Sequence, residues 1–420
     1  MSDDMYIARS VDEDILAIAE SGGVVTSLLK CALEQSMVDG VVTVQSPNRD
    51  RFAAVPTLLT GPERLPDTAG SLHSTAPNIA RFVKEYLDGA SNMKLIIVGK
   101  PCDIRAIIEL EKRSQINRDN VTLIGLNCTG TLPPSRTKIM LVEEFGVDPD
   151  DVVGEDIDDG KLTIFLKDGS SKTMDLTELE EKGYGRRDNC RRCEVNIPVF
   201  ADLACGKWGT EGEEEKSTFV QICSEKGRAL FEKALDGEYI QAKQPSTEQL
   251  EIRQKKDEAE QARAAVARET DFKPIDEMSL HERQDYWLKE FSKCIKCYGC
   301  RDACPICYCE HCLLEADRNF VKAGEIPPSA TFPLTRLAHI ADSCVNCGQC
   351  QDACPMELPL AKLFNYQNWK LRDIFEYVPG VDSDQSPPLV NAMDIEMRID
   401  DTFLDIAAIL RKDKAKQTDG

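Results

Sequence analysis

The segment CIKCYGCRDACP, residues 294–305, follows the pattern C-x2-C-x2-C-x3-C-P, and the segment CVNCGQCQDACP, residues 344–355, repeats it without a mismatch. This spacing is typical of paired 4Fe–4S clusters, because one loop supplies three thiolates and the fourth comes from elsewhere. In two-cluster ferredoxins the fourth cysteine of each run binds the other cluster. The predicted ligand sets are therefore Cys294, Cys297, Cys300 and Cys354 for one cluster, and Cys344, Cys347, Cys350 and Cys304 for the second.

Zinc is the alternative metal for these runs. Zinc sites typically use paired C-x2-C knuckles, which would leave the third cysteine and the proline of each run without a role, so iron–sulfur clusters are favoured. Cys307, Cys309 and Cys312 follow the first run, together with His311. They could bind another metal, but no fourth cysteine stands at a matching spacing, so we expect small side chains buried near a cluster.

Composition limits the class of protein. The chain has 18 cysteines in 420 residues, and a chain of this length does not need disulfides to hold its fold. Its first residues are acidic and unlike a signal peptide, and no apolar run approaches the ~18 residues of a membrane span. A net charge of −22 argues against nucleic acid as a partner, because phosphates would be repelled. We expect a reduced, cytoplasmic protein with no membrane span.

Helix and strand patterns alternate along the first half of the chain, which predicts an α/β domain around a mixed sheet. The predicted helices cover residues 22–36, 76–88 and 104–112, and the predicted strands cover residues 41–44, 54–59, 95–98 and 121–126. Residues 245–269 are charged and nearly free of large apolar side chains, which indicates a linker or an exposed helix.

Four more cysteines fall in this first domain. Cys102 and Cys128 each follow a predicted strand, where open α/β sheets place their sites, and Cys190 and Cys193 form a C-x2-C pair. Thiolates from these three loops would suit a third 4Fe–4S cluster. Separated cysteines are also often core residues, and a C-x2-C pair could bind zinc or be redox-active, so these alternatives stay open.

Four segments of this domain closely resemble the coenzyme F-420 hydrogenase/dehydrogenase β-subunit family. They are ESGGVVTSLL (20–29), VGKPCD (98–103), IGLNCTGTLPP (124–134) and NCRRCEVNIPVFADLACGKWG (189–209), and the match extends over most of residues 10–240. The resemblance implies a flavoprotein that passes hydride between FAD and the deazaflavin F-420, beside a 4Fe–4S cluster held by Cys102, Cys128, Cys190 and Cys193. Cys205 is a weaker candidate for that cluster.

The order of the two parts is similar to that of the formate dehydrogenase members of the family. That similarity implies a molybdenum or tungsten formate dehydrogenase α subunit as partner, and a larger heterodisulfide reductase-type complex is also compatible with it. A subunit of a hydrogenase or of an F-420H2 dehydrogenase is the alternative. A zinc-binding structural or regulatory protein is a rival from another class.

The predicted fold is an α/β flavin domain with a mixed sheet, followed by a helical double 4Fe–4S ferredoxin-type module. The expected segments are an FAD and F-420 domain with one cluster (1–242), a charged linker or helix (243–280), the two-cluster module (281–375) and a tail that contacts the partner (376–420). F-420 and FAD carry hydride whereas each cluster accepts one electron. The expected route therefore runs from F-420 through FAD to the three clusters, in either direction.

The expected FAD contacts combine local signals with the resemblance. Ser21 is a predicted N-cap, and the two glycines after it would let a ligand approach the helix amides; a capped helix without ligand is the alternative. The sequence has no G-x-G-x-x-G fingerprint, so a Rossmann nucleotide site is not expected. Arg186, Arg187, Arg191 and Arg192 could attract the anionic tail of F-420. The full set of expected contacts is Ser21, Gly22, Gly23, Thr26, His73, Ser74, Asn78, Lys100, Asn127 and Gly206.

Overall fold

The structure is a computed structural model that describes residues 4–389, apart from residues 214, 310, 311, 313 and 316–329. Within these residues the strands are β1 (Met5–Ser10), β2 (Gly40–Gln45), β3 (Val55–Leu59), β4 (Leu95–Gly99), β5 (Val121–Leu126), β6 (Val152–Asp158), β7 (Lys161–Leu166), β8 (Ser171–Asp175), β9 (Leu203–Gly206), β10 (Thr218–Ile222) and β11 (Ile240–Lys243).

The helices of the described residues are α1 (Glu13–Ile18), α2 (Val24–Glu34), α3 (Ile79–Tyr86), α4 (Pro101–Glu111), α5 (Pro134–Glu143), α6 (Leu176–Glu181), α7 (Asp188–Arg191), α8 (Glu225–Asp236), α9 (Thr247–Asp276), α10 (Leu280–Phe291), α11 (Gly299–Asp302), α12 (Thr331–Ile340), α13 (Gln349–Asp352) and α14 (Leu360–Phe375). Short 3-10 turns cover Pro47–Arg49, Pro62–Thr68, Asp88–Ala90, Arg118–Asn120 and Pro149–Asp151.

The larger sheet has the strand order β11-β1-β10-β9-β5-β4-β2-β3. Strands β2, β4, β5 and β9 run parallel to their neighbours in this group, whereas β3 and the β10-β1-β11 side are antiparallel. The predicted mixed sheet is therefore confirmed. All residues of β4 are buried, as expected for a parallel strand covered on both faces. The carboxyl ends of β4, β5 and β9 meet at one edge, where α/β sheets place their sites.

A smaller antiparallel sheet, β6-β7-β8, packs its own apolar cluster. Its second hairpin turns at Asp168 and Gly169, where the backbone φ of Gly169 is 84°. A left-handed residue at this position favours glycine, because a Cβ would be strained there.

The charged segment after the first domain is helix α9, and part of its surface is buried. Gln249, Arg253 and Phe272 are buried, and the guanidinium of Arg253 lies 4.5 Å from the ring centroid of Phe219. This helix is therefore packed against the sheet domain rather than exposed to solvent along its length.

One hydrophobic cluster joins the sheet to the cysteine-rich part of the chain. It contains Ile97 of β4 together with Phe291 of α10, Phe332 of α12 and Phe364 of α14. The two parts therefore share a core, although the four predicted segment boundaries stay a prediction. Most of the predicted tail, residues 390–420, lies outside the described residues. No helix in the described part of the chain combines the length and apolar character needed to cross a bilayer.

Glu109 attaches the segment after α14 to α4. Its fully buried carboxylate accepts hydrogen bonds from the Gly380 amide at 2.7 Å and from the Tyr377 hydroxyl. The carboxylate also pairs with Arg113 at 2.7 Å and with Lys112 at 3.1 Å. Burial alone would raise the pKa of Glu109, but the charges of Arg113 and Lys112 outweigh burial and lower it. The first turn of the same helix carries a predicted cluster ligand, so this contact bears on the candidate site.

We expect Glu109→Gln to lower the free energy of unfolding by roughly 3–5 kcal/mol, because it leaves two buried cations without a counter-charge. The folded-state pKa of Glu109 is depressed. Its stabilising effect is therefore present above the unfolded pKa of about 4.3 and is lost as pH falls through the folded-state value. Denaturant unfolding at pH 7 and pH 4 measures both effects.

Glu111→Gln is the matched control on the same helix. Burial raises the pKa of Glu111, so a neutral amide should change stability by only about 0.5 kcal/mol. Equal losses in the two variants would contradict the role given to Glu109.

Candidate functional site

A cleft opens at the carboxyl edge of the larger sheet and encloses about 1530 Å³ of space outside the protein atoms, including its open mouth. It is bounded by the start of α2, the loop around His73 and the ends of β4, β5 and β9. Apolar and polar side chains both line this space, which is typical of a ligand-binding cleft. The expected contacts that line it are Ser21, Gly23, Thr26, His73, Lys100, Asn127 and Gly206.

Three of the expected contacts have other roles among the described residues. The amide of Gly22 donates to Thr218 Oγ1 at 3.0 Å. Ser74 is buried, and its amide donates to Glu155 Oε1 at 3.1 Å. Asn78 is the N-cap of α3. These residues therefore support the walls of the cleft instead of lining it.

The prediction that Ser21 caps α2 is wrong. The N-cap is Gly23, with a left-handed φ of 69° and no side-chain cap, and the Ser21 hydroxyl lies 3.2 Å from Thr218 Oγ1. A Cβ at Gly23 would lie 2.8 Å from Cγ2 of Ile15, so a side chain is excluded there on two counts. Because no side chain covers the first turn, this helix N-terminus offers amides to an anionic or carbonyl group in the cleft.

Asn127 is the polar group that most directly indicates a ligand. Its side-chain Nδ2 and Oδ1 are both buried, and neither has a hydrogen-bond partner among the described residues. A Cβ on Gly206 would lie 2.3 Å from Asn127 Nδ2, so glycine is required beside this amide. An unsatisfied buried polar group costs about 1–3 kcal/mol. A planar ligand edge with one donor and one acceptor, such as that of a flavin ring, would satisfy both atoms.

Charged side chains gather near the mouth of the cleft. His73 Nε2 lies 3.9 Å from Glu20 Oε1, and Asp156 and its ion-pair partner Lys207 also line the cleft. Burial alone would raise the pKa of Glu20. The hydrogen bond and the charge of His73 act in the opposite direction, and the pKa is lowered to about 2. Burial would lower the pKa of His73, but Glu20 raises it overall. Each of these two side chains therefore favours the charged form of the other.

Four predicted cluster ligands of the sheet domain come together behind the cleft; we call Cys102, Cys128, Cys190 and Cys193 the inner thiol set. Burial is the main cause that raises the pKa of the Cys102 thiol, and the nearby Cys128 and Cys190 raise it further. The pKa of Cys128 is about 12, raised by burial and then by Cys190, with a smaller effect of Cys193. Cys128 also lines the cleft. A metal cluster bound to these sulfur atoms would stabilise their thiolate forms, which burial otherwise disfavours.

Lys100 and Cys205 lie at this end of the cleft in different environments. The ammonium of Lys100 donates to Asp103 Oδ2 at 2.6 Å and to the Pro77 carbonyl at 3.2 Å. Cys205 is buried in β9, where burial raises its pKa to about 12, and its thiol neighbour is Cys223. The structure therefore groups Cys205 with a different thiol from those of the inner thiol set.

The two C-terminal runs fold into matching loops. Lys296 and Asn346 have left-handed backbones, as do Tyr298 and Gly348, so each run turns at the same two positions before its short helix. A Cβ at Gly299 would lie 2.8 Å from the carbonyl oxygen of Ala353, which brings the two loops into close contact.

These loops group the cysteines in the predicted crossed manner. One cavity is lined by Cys294, Cys297, Cys300 and Cys354, the outer thiol set. A second is lined by Cys304, Cys344, Cys347 and Cys350, the middle thiol set. All 18 cysteines are free, and four convergent thiols with no disulfide are the donors that a cubane cluster needs.

The three thiol sets follow one another in space. Burial is the main cause of the raised pKa of Cys347, and its thiol neighbours that raise it further include Cys304 and Cys102. Cys350 likewise has both Cys304 and Cys300 among the thiols that raise its pKa. Asn189, next to Cys190, and Asn346, next to Cys347, are joined by two hydrogen bonds, so the order from the cleft is inner, middle and outer.

The expectation for the arginine-rich segment is wrong for two of its four residues. Arg187 and Arg192 are buried; Arg187 pairs with Asp352, and Arg192 pairs with Asp188 and Asp271. Their charges are therefore directed to the interior, where they cannot attract a ligand tail from solvent.

Cys307, Cys309 and Cys312 do not behave as one group. The Cys307 thiol hydrogen-bonds Cys304 and is the main cause that lowers the pKa of Cys304 below its usual value. Cys309 is exposed, contrary to the expectation of a buried side chain, and His311 lies outside the described residues. Sequence reasoning also missed Arg336, a buried cation that lines the cavity of the outer thiol set; its isolation in the apolar stretch TFPLTRLAHI is the signal that could have revealed it.

The sequence matches two models of one family and a third, separate domain model. The models for the N- and C-terminal parts of the coenzyme F-420 hydrogenase/dehydrogenase β subunit match residues 5–81 and 92–248. A 4Fe–4S dicluster domain model matches residues 290–358, over the two C-terminal cysteine runs.

Similar curated proteins include two β subunits of F-420-dependent formate dehydrogenase. That of Methanococcus maripaludis is 46% identical, over 92% of this chain and 98% of its own length. That of Methanocaldococcus jannaschii is 45% identical over the same shares. The coenzyme F-420 hydrogenase β subunit of Methanococcus voltae is 29% identical over 56% of this chain.

Among solved structures, a chain of the F-420-reducing nickel–iron hydrogenase complex of Methanosarcina barkeri is similar in fold. The TM-score is 0.54 at 20% sequence identity, and the match covers 63% of this chain and 91% of that chain.

Proposed function

This chain belongs to the coenzyme F-420 hydrogenase/dehydrogenase β-subunit family of oxidoreductases, and we propose that it carries electrons between F-420 and a catalytic partner subunit. FAD would occupy the cleft, and 4Fe–4S clusters would occupy the inner, middle and outer thiol sets. The observation that carries this proposal is the continuous order of cleft and thiol sets, with Cys128 belonging to both the cleft wall and the inner thiol set.

The extent of the similarity supports one class of partner. The formate dehydrogenase β subunits align over 92% of this chain, whereas the hydrogenase β subunit aligns over 56%. The formate dehydrogenase relatives therefore extend beyond the sheet domain, which favours a molybdenum or tungsten formate dehydrogenase α subunit as the partner. Assembly into a larger heterodisulfide reductase-type complex is a further proposal.

The chain supplies binding and orientation, while the bound FAD would supply the exchange between hydride and single electrons. Asn127 would hold the polar edge of the flavin, and the uncapped start of α2 would stabilise an anionic or carbonyl group. Gly70 and Ser71 line the cleft and are exposed to solvent, which would let the substrate F-420 reach the cleft. Because Cys128 lines the cleft, it would hold the first cluster close to the flavin. A short distance between the two groups favours electron exchange.

Anaerobically purified protein should contain about twelve irons per chain, four for each thiol set. We expect Cys190→Ser to lose about four of them, because it removes a ligand of the inner thiol set. Cys205→Ser should keep all of them, since Cys205 groups with Cys223. Iron and zinc analysis measures the outcome. About eight irons in the unaltered protein would remove the inner cluster, and stoichiometric zinc without iron would overturn the proposal.

Asn127→Leu should weaken FAD binding by about tenfold or more, because one buried amide hydrogen-bonded to a ligand contributes about 1–3 kcal/mol. Its iron content should be unchanged. Asn92→Leu is the control, since Asn92 is exposed and lies outside the cleft. Equal FAD affinity in both variants would place the flavin elsewhere.

The isolated chain should reduce an artificial one-electron acceptor with reduced F-420 but should not oxidise formate, which requires the partner. With the α subunit added, formate-dependent F-420 reduction should appear. Cys347→Ser should abolish this coupled reaction by removing a ligand of the middle thiol set, while hydride exchange with F-420 survives.

Cys309→Ser is the matched control for the coupled assay, because Cys309 is exposed and outside all three thiol sets. Formate oxidation by the isolated chain, or a full coupled rate in the Cys347→Ser protein, would contradict the proposed route.

A further inference from the structure

Arg336 is a buried cation without a partner of its own. The residue lies on α12 and is 2% exposed. None of its nitrogens, Nε, Nη1 and Nη2, has a hydrogen-bond partner among the described residues. An arginine cannot lose its proton in a protein, and a buried charge without compensation is strongly destabilising. An anionic acceptor is therefore required beside this guanidinium.

The groups that surround Arg336 identify that acceptor. Its side chain lines the cavity of the outer thiol set. Its electrostatic neighbours are thiols: Cys300 belongs to the outer thiol set, Cys304 and Cys350 to the middle thiol set, and Cys307 hydrogen-bonds Cys304. The Phe364 ring beside this guanidinium lines both cavities, so Arg336 lies where the two predicted cluster sites adjoin.

The apolar surroundings of Arg336 strengthen its effect. Phe332 and Phe364 line the same cavity, and the guanidinium carbon lies 6.0 Å from the centroid of the Phe364 ring. Such a distant ring contact compensates little of the charge. In these dry surroundings, hydrogen bonds and charge interactions are stronger than in water.

We propose that Arg336 bridges the two C-terminal clusters, donating N–H···S hydrogen bonds to sulfur atoms of both and making both easier to reduce. This inference rests on the proposed function, which places clusters in the outer and middle thiol sets. A guanidinium presents five donors in a planar fork, so it can serve acceptors on two sides at once. Hydrogen bonds and positive charge at cluster sulfurs favour the reduced, more negative state and raise the reduction potential.

The other buried arginines near thiols differ from Arg336 in their partners. Arg105 donates from Nε to the Pro379 carbonyl at 2.6 Å, and Arg187 pairs with Asp352. Only part of their donor capacity is left for sulfur. The whole guanidinium of Arg336 is without such partners among the described residues, which assigns it to the clusters.

The test is a reductive titration of anaerobic holoprotein, followed by electron paramagnetic resonance. Arg336→Gln should keep its iron and lower the potentials of the two C-terminal clusters. We expect at least a tenfold loss in the equilibrium constant for reduction, which corresponds to about 59 mV for one electron. The potential of the inner cluster should not change. Arg283→Gln is the matched control, because Arg283 donates to backbone carbonyls around the end of α9.

Arg336→Lys decides the result if the Arg336→Gln protein loses iron. It keeps the charge, but a single ammonium cannot serve two clusters as a planar fork does. At least one of the two C-terminal potentials should therefore fall. Unchanged potentials in both clusters of an iron-loaded Arg336 variant would overturn the bridge and leave the proposed function intact. Absence of the C-terminal clusters from the unaltered protein would instead overturn the proposed function.

Discussion

Two reciprocal hydrogen bonds hold the sheet domain against the cysteine-rich part of the chain. Asn189 Nδ2 donates to the Asn346 carbonyl at 3.0 Å, and Asn346 Nδ2 donates to the Asn189 carbonyl at 2.9 Å. A Cβ at Gly348 would lie 2.1 Å from Asn189 Oδ1. The two loops are therefore so close that only glycine fits at position 348. Cys190 and Cys347 are direct neighbours in sequence of these contacts, so the meeting of the inner and middle thiol sets depends on them.

Compensation of negative charge is the second requirement of this arrangement, because ionised thiolates in a dry interior repel one another. Buried arginines lie where successive thiol sets meet. Arg187 has Cys190 and Cys347 among its electrostatic neighbours, Arg105 has Cys193 and Cys344, and Arg336 lies between the middle and outer thiol sets. Positive charge at each junction opposes the repulsion that would otherwise separate the sets.

The sequence predicted best what is determined by short spacing. The cysteines expected to share a cluster in the C-terminal part line the same cavities, because a C-x2-C-x2-C loop constrains its own geometry; the cluster ligand sets themselves stay a prediction. The inner thiol set needed the family resemblance, since its members come from three separate loops. The mixed sheet followed from helix and strand periodicity, but the start of α2 did not, because Thr218, the partner of Ser21, is distant in sequence.

Charged residues were the least predictable part for the same physical reason. Arg187 and Arg192 look exposed in a hydrophilic segment, yet their partners Asp352 and Asp271 lie on α13 and α9. The segment of α9 was expected to be a linker or an exposed helix, because the first buried residues of this helix are Gln249 and Arg253, and its buried Phe272 lies near its end. Burial of a long polar side chain depends on a partner from another element, which periodicity in one segment does not reveal.

The thiol sets differ in their exposure to solvent, and this difference indicates at which set the proposed route would meet a partner. Cys304 and Cys350 of the middle thiol set are buried, whereas Cys297 of the outer thiol set is exposed, with Ile295 and Met356 exposed around the same cavity. In the proposed route, hydride would be exchanged at the cleft, and single electrons would be exchanged with a partner at the outer thiol set. The middle thiol set lies between these ends and is shielded by the shared core. Each electron on this route would therefore pass the buried cations at the junctions between the sets.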